Sequence, residues 1–153
     1  MANSFNQALS FDTSLVTDMS HMFTSGYNFD ETLDFDTSSV IDMKYMLYNA
    51  YSFNHPLLFD TRNVNSMNSM FYMAKSFNQA LSFDTSSVTD MYEMFHSAHA
   101  FNHSLAFDTT SVTTMFIMFS QTHSLSDCNK KKIHDEEEIR GKTGNENDDF
   151  FHR

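Results

Sequence analysis

Residues 76–95 read Ser76-Phe77-Asn78-Gln79-Ala80-Leu81-Ser82-Phe83-Asp84-Thr85-Ser86-Ser87-Val88-Thr89-Asp90-Met91-Tyr92-Glu93-Met94-Phe95. This stretch decides the fold, because it returns along the chain with a fixed period of 24 residues. Phe-Asp-Thr stands at Phe11, Phe35, Phe59, Phe83 and Phe107. Leu9, Val16, Met19 and Met22 each head a column with the same period. Residues 5–28 and 77–100 agree at 17 of 24 positions, and no insertion breaks the register. Units open at Phe5, Phe29, Phe53, Phe77 and Phe101, and Leu125 begins a partial sixth. A period of this length marks stacked coils: one unit cannot cover its own apolar side, and its neighbours do so.

Numbered from the opening Phe, the apolar columns fall at unit positions 1, 5, 7, 12, 15, 18, 19 and 22. Leu at position 5 and Phe at position 7 alternate with small or polar residues. That is the pattern of a short half-buried strand, residues 8–12 in the first unit. The later columns are spaced by three or four, which suits a turn or two of α- or 3₁₀-helix. Between them Asp12-Thr13-Ser14 is a turn signal, since an Asp or Thr oxygen accepts a backbone N–H two or three residues on. The pattern predicts a right-handed α/β repeat solenoid of leucine-rich-repeat type over residues 1–126. Its five 24-residue coils each pair a short parallel strand with a helical or 3₁₀ arc. Parallel strands stack at about 4.8 Å, which brings identical residues onto one another. The Phe and Met columns are core rather than a heme or copper site, because they share one inward phase.

Composition narrows the function. The chain has 153 residues, 41% of them hydrophobic, with 17 Phe, 12 Met, no Trp and one Cys, Cys128. One Cys excludes an intramolecular disulfide framework and a Cys-based zinc finger. No apolar run approaches the roughly 20 residues that span a bilayer, and no signal peptide is visible at Met1–Asn6. The net charge of −11 argues against nucleic acid and anionic membranes as partners. Residues 1–126 carry −9 of it and residues 127–153 carry −2.

Surface columns supply the candidate sites. Asp12, Asp36, Asp60, Asp84 and Asp108 form an acidic stripe. Beside it, position 6 holds Ser10, Asp34, Leu58, Ser82 and Ala106, which face outward if Leu and Phe face inward. Two readings of the stripe compete. Each Asp caps its own turn, or the row docks a basic patch on a partner. A calcium array is a poor third, because no spacing supplies enough convergent oxygens. Asn6, Asn54, Asn78 and Asn102, with Asp30 and Ser126, form a polar column expected to be buried and to satisfy backbone groups. The sequon Asn102-His103-Ser104 is then silent. The Thr13 column reads as sheet hydrogen bonding rather than an ice-binding face, because its second Thr column is broken. His99 and His123 fall about 5 Å apart in stacked coils, and His55 and His103 share another column, but no third ligand completes a metal site. No catalytic constellation or pocket is evident, so no enzyme is expected. No cofactor is called for.

The repeat decays after Leu125. Residues 127–153 read as a charged, disordered tail with a short helix at Asp135–Arg140. Neither end looks like a capping repeat. That suggests a fragment, a truncated product or a chain that stacks end to end.

The unit at Ser76–Phe95 resembles the BspA-like leucine-rich repeat family. It is closest to the branch known as a Mycoplasma domain of unknown function, whose unit runs roughly SFNQ-x-L-x-x-W-DTS-x-VT-x-M-x-x-MF. The match spans residues 4–126. Phe replaces the usual Trp, and one residue fewer separates Leu from that aromatic. The resemblance implies a cell-surface or secreted module used in adhesion or protein binding. It implies no catalytic residues. The alternative is a structural spacer within a larger repeat protein.

Overall fold

The computed structural model of the chain describes residues 5–130. Its five units stack in register, as the 24-residue period requires. All eight apolar columns point inward in the central coils: Phe53, Val64, Met67, Met70, Phe71 and Ala74 are fully buried, and Leu57 and Phe59 nearly so. Outward positions 4, 6 and 8 are exposed or half-buried throughout.

The backbone differs from the expected one. The chain does not form an α/β solenoid of strands and helical arcs. Among the described residues the only helix is 127–130, and pairing is limited to single parallel bridges at position 14. These join Asp18 to Asp42, Asp42 to Ser66, Ser66 to Asp90 and Asp90 to Thr114. The rest of each coil is turn and extended chain.

The reason on the arc side is a division of labour between alternate N–H groups. In the third coil Met67, Ser69, Phe71 and Met73 donate to the carbonyls of Asp90, Tyr92, Met94 and His96 in the next coil, at 2.8–3.0 Å. The intervening Met70, Tyr72 and Ala74 donate to the carbonyls of Met67, Ser69 and Phe71 three residues back. A helix would use every N–H internally and leave none for the neighbouring coil. Two columns carry a left-handed backbone. These are His21, Tyr45, Ser69, Glu93 and Ile117 at position 17, and Ser25, Asn49, Met73, Ser97 and Gln121 at position 21, with φ between 49° and 60°. Left-handed residues cannot continue a right-handed helix. The three-and-four spacing therefore builds consecutive β-turns.

The reason on the Leu–Phe side is spacing. Positions 4–7 keep the predicted in–out alternation, but among the described residues no backbone hydrogen bond joins these segments. Where identical rings lie parallel in successive coils, their centroid separation reports the local coil spacing. The position-1 Phe rings stack at 5.9, 6.0, 6.1 and 6.2 Å. Phe59 and Phe83 stack at 6.4 Å. Strands need about 4.7–4.9 Å to pair. Across the coil, Tyr48–Tyr72 and Tyr72–His96 stack at 4.6 and 4.9 Å. The coils thus fan apart on the Phe side and close up on the turn edge, which lies on the inside of the curve.

Side chains replace the missing ladder. The hydroxyls of Thr37, Thr61 and Thr85 are buried and donate to the carbonyls of Asp60, Asp84 and Asp108 one coil on. These are intercoil ties rather than the sheet bonds expected of the Thr column. The Asn column has its expected role. Oδ1 of Asn6, Asp30, Asn54, Asn78 and Asn102 each accepts the N–H of the equivalent residue in the next coil, at 2.8–3.1 Å. It is exposed rather than buried, so burial does not silence the Asn102 sequon. Of the charged tail, residues 127–130 continue from the stack, with Lys130 N–H donating to the Ser126 carbonyl. The short helix expected at Asp135–Arg140 lies outside the described residues.

Candidate functional site

The acidic stripe is built by turn chemistry. Oδ1 of Asp12, Asp36, Asp60, Asp84 and Asp108 accepts the N–H two residues on, at 2.9, 3.0, 3.3, 3.0 and 2.9 Å. The hydroxyls of Ser38, Ser86 and Thr110 add a second bond to the same oxygen. Hydrogen bonds from Ser14, Ser38 and Ser86 hold the carboxyls of Asp12, Asp36 and Asp84 below the ordinary range. Arg62 does the same for Asp60, through an ion pair of 2.6 Å. Neighbouring charges work the other way: Asp12 and Asp60 push Asp36 up, and Asp108 pushes Asp84 up. The stack therefore sets the five carboxylates side by side, close enough to feel one another. Ser10, Asp34, Leu58, Ser82 and Ala106 run beside them, all exposed, with Leu58 at 91%.

A second row repeats this design. Asp18, Asp42 and Asp90 at position 14 accept the N–H of Ser20, Lys44 and Tyr92. These residues also carry the parallel bridges.

The histidines divide. His55 and His103 point Nε2 at the carbonyls of Asp30 and Asn78 in the preceding coil, at 3.0 and 3.2 Å. Gln79 and Asn129 bond the preceding coil's carbonyl in the same way. His99 and His123 do stack, with ring centroids 5.3 Å apart. Among the described residues no three His, Cys, Asp or Glu side chains converge on a point where an ion could sit.

One surface has no counterpart in the sequence reading. All six tyrosines lie half-buried along the turn edge. Tyr48, Tyr72 and His96 form a continuous stack, Tyr45 packs edge-on against Tyr48, and Tyr27 packs on Tyr51. The Lys75 ammonium sits 4.1 Å over the Tyr51 ring. Burial lowers the His96 and His99 imidazoles and raises the Tyr48 and Tyr92 phenols. The signal was available: unit positions 16, 17, 20 and 23 hold every Tyr in the chain. These columns mix Tyr with His, Ser, Lys and Glu, so they do not show as an apolar period.

The pattern of the family described as "Mycoplasma protein of unknown function, DUF285" matches residues 1–59 and 58–147. The chain belongs to this family. Within it, the two matched segments meet inside the third coil, in keeping with a repeat that has no internal boundary. The match is to the branch the resemblance pointed to, and it says nothing of the wider BspA-like leucine-rich-repeat group. No curated protein and no solved structure matches this DUF285 chain. No helix among the described residues is long and apolar enough to cross a membrane.

Proposed function

We propose that this DUF285 chain is a non-enzymatic protein-interaction module of a cell-surface or secreted protein, docking a cationic partner surface along its acidic stripe. The observation that carries the reading is the five-coil row of carboxylates, each fixed by its own turn. Capping occupies Oδ1 and keeps the carboxyl ionised. The second oxygen of Asp12, Asp36 and Asp84 is left to carry charge outward. Regular, preorganised charge favours on-rate and specificity towards a basic partner. Capping and docking are thus compatible roles for the same residues.

A spacer role is the second reading. It is favoured by Asp60, whose two oxygens are both taken by Arg62. A paired pull-down from cell-surface and extracellular extracts separates the two. One bait is the chain itself, and the other carries Asp36→Asn, Asp60→Asn and Asp84→Asn. Asn keeps the capping oxygen and removes the charge, and circular dichroism checks that both baits fold. A partner held by the first bait and lost by the second supports docking. Equal capture by both baits overturns the stripe as the binding face. Capture by neither favours the spacer.

A further inference from the structure

We propose that Asn102 is a modification site, which takes an asparagine-linked glycan on its side-chain nitrogen while keeping its place in the Asn row. The inference takes the cell-surface or secreted setting of the proposed function and makes no use of the acidic stripe. Transfer of such a glycan needs an amide at the first position of the motif and a hydroxyl at the third. Asn102-His103-Ser104 is the one point of the row where both are present. Asn6 and Asn78 are followed two residues on by Ala8 and Ala80, and Asn54 by Pro56. In the second coil Thr32 supplies the hydroxyl, but the row residue there is Asp30.

The stack turns the reactive end of the amide outward. Asn102 and Ser104 are both exposed. Asn102 has neighbours on both sides in its row. Its N–H donates to Oδ1 of Asn78 at 2.9 Å, and its own Oδ1 accepts the Ser126 N–H at 2.8 Å. Nδ2 of Asn129 adds bonds to the same Oδ1 and to the Asn102 carbonyl, at 3.0 and 2.8 Å. Only an oxygen can accept these donors, so the orientation of the amide is fixed. Its Nδ2 donates to nothing among the described residues. Asn63 and Asn68 show the converse, with Nδ2 spent on the Ser38 carbonyl and the Asp90 carboxylate.

The row and the modification therefore draw on opposite ends of one amide. The donor is an oligosaccharide on a polyprenyl diphosphate. Nδ2 forms a bond to the anomeric carbon, and the bond from that carbon to the phosphate oxygen breaks. The lipid diphosphate leaves with the electron pair, and Nδ2 loses one proton to solvent through the transferase. Oδ1 is untouched, so its bond to the Ser126 N–H survives.

The fanned side of the stack gives the transferase access. An acceptor asparagine enters such an enzyme on a short run of unpaired chain. The N–H groups of His103, Ser104 and Leu105 donate to no backbone carbonyl among the described residues. His103 is tied back through its ring, whose Nε2 lies 3.2 Å from the Asn78 carbonyl. The Phe77 and Phe101 rings at the start of this segment stand 6.2 Å apart, too far for a strand ladder to lock it.

The test treats the purified, folded chain with a single-subunit oligosaccharyltransferase and a lipid-linked oligosaccharide. Intact mass should rise by one glycan, peptide mapping should place it on Asn102, and circular dichroism should be unchanged. Asn102→Gln and Ser104→Ala should each abolish the gain. The second is a mild change, since Ala8 and Ala80 stand in that column. Asn65→Thr, which copies Thr89 and Thr113 in its own column, completes a motif at Asn63, where Nδ2 is engaged. Asn63 should then accept sugar in the excised peptide but not in the folded chain. A folded wild type that stays unmodified overturns the proposal, and so does a glycan that survives Ser104→Ala. Equal modification of Asn63 and Asn102 in the folded variant overturns the geometric basis. None of these failures touches the docking reading, which is decided by capture in the pull-down.

Discussion

At the scale of the residue, the Asp column shows how one side chain sets both turn geometry and surface charge. Replacing Asp84 by Ala should lower stability by removing the oxygen that closes its turn, while Asn, which keeps that oxygen, should cost less. Thermal melts of the two variants check it. The lowered carboxyls fix the sign of the pH response. A folded-state value below the unfolded one contributes stability that is present above the unfolded value, near 3.8, and lost as pH falls through the folded one. Melting temperature should therefore fall below about pH 4, and fall less when Asp12, Asp36 and Asp84 are all Asn. Asp-Thr-Ser announced these turns in the sequence, because Asp chemistry is local. The left-handed residues were not announced. Neither Ile117 nor Met73 favours positive φ, and only the stacked neighbour holds them there. Met73→Asn, which copies Asn49 in the same column, should raise stability by up to ~1 kcal/mol in chemical denaturation.

At the scale of the element, the inward columns were fully legible, and the backbone that carries them was not. Periodicity reports which side chains face the core. It is silent on where N–H groups point, and Leu–x–Phe reads the same whether its backbone is paired or propped apart. Stacked Phe rings near 6 Å decide that here. Phe59→Ala should cost about 3–5 kcal/mol, whereas the half-exposed Phe11→Ala should cost much less. Near-equal losses in urea titrations would contradict the assigned packing. The turn edge adds a second pH step. His96 is held neutral by burial, and its Nδ1 has no partner. A base whose value is depressed in the fold loses stability as pH falls below the unfolded value near 6.5. A shallow decline from about pH 6.5, flattened by His96→Gln, should precede the carboxylate step.

At the scale of the molecule, the chain is a curved stack whose register belongs to the unit rather than to any one residue. Deleting residues 53–76, one whole unit, should leave a shorter protein that still unfolds cooperatively. Deleting residues 53–64, half a unit, should not, since it sets the apolar columns of the two parts out of phase. The aromatic edge was the least legible part of the candidate surface, because coil spacing exists only once the coils are stacked. Amide hydrogen exchange followed residue by residue by NMR tests the central claim, that coils are joined along the turn edge and not along the Leu–Phe segment. In the third coil the amides of Met67, Ser69, Phe71 and Met73 should exchange slowly. Those of Leu57, Leu58 and Phe59 should exchange fast, although Leu57 and Phe59 have buried side chains. Slow exchange at residues 57–59 would mean paired strands there, and would contradict the account.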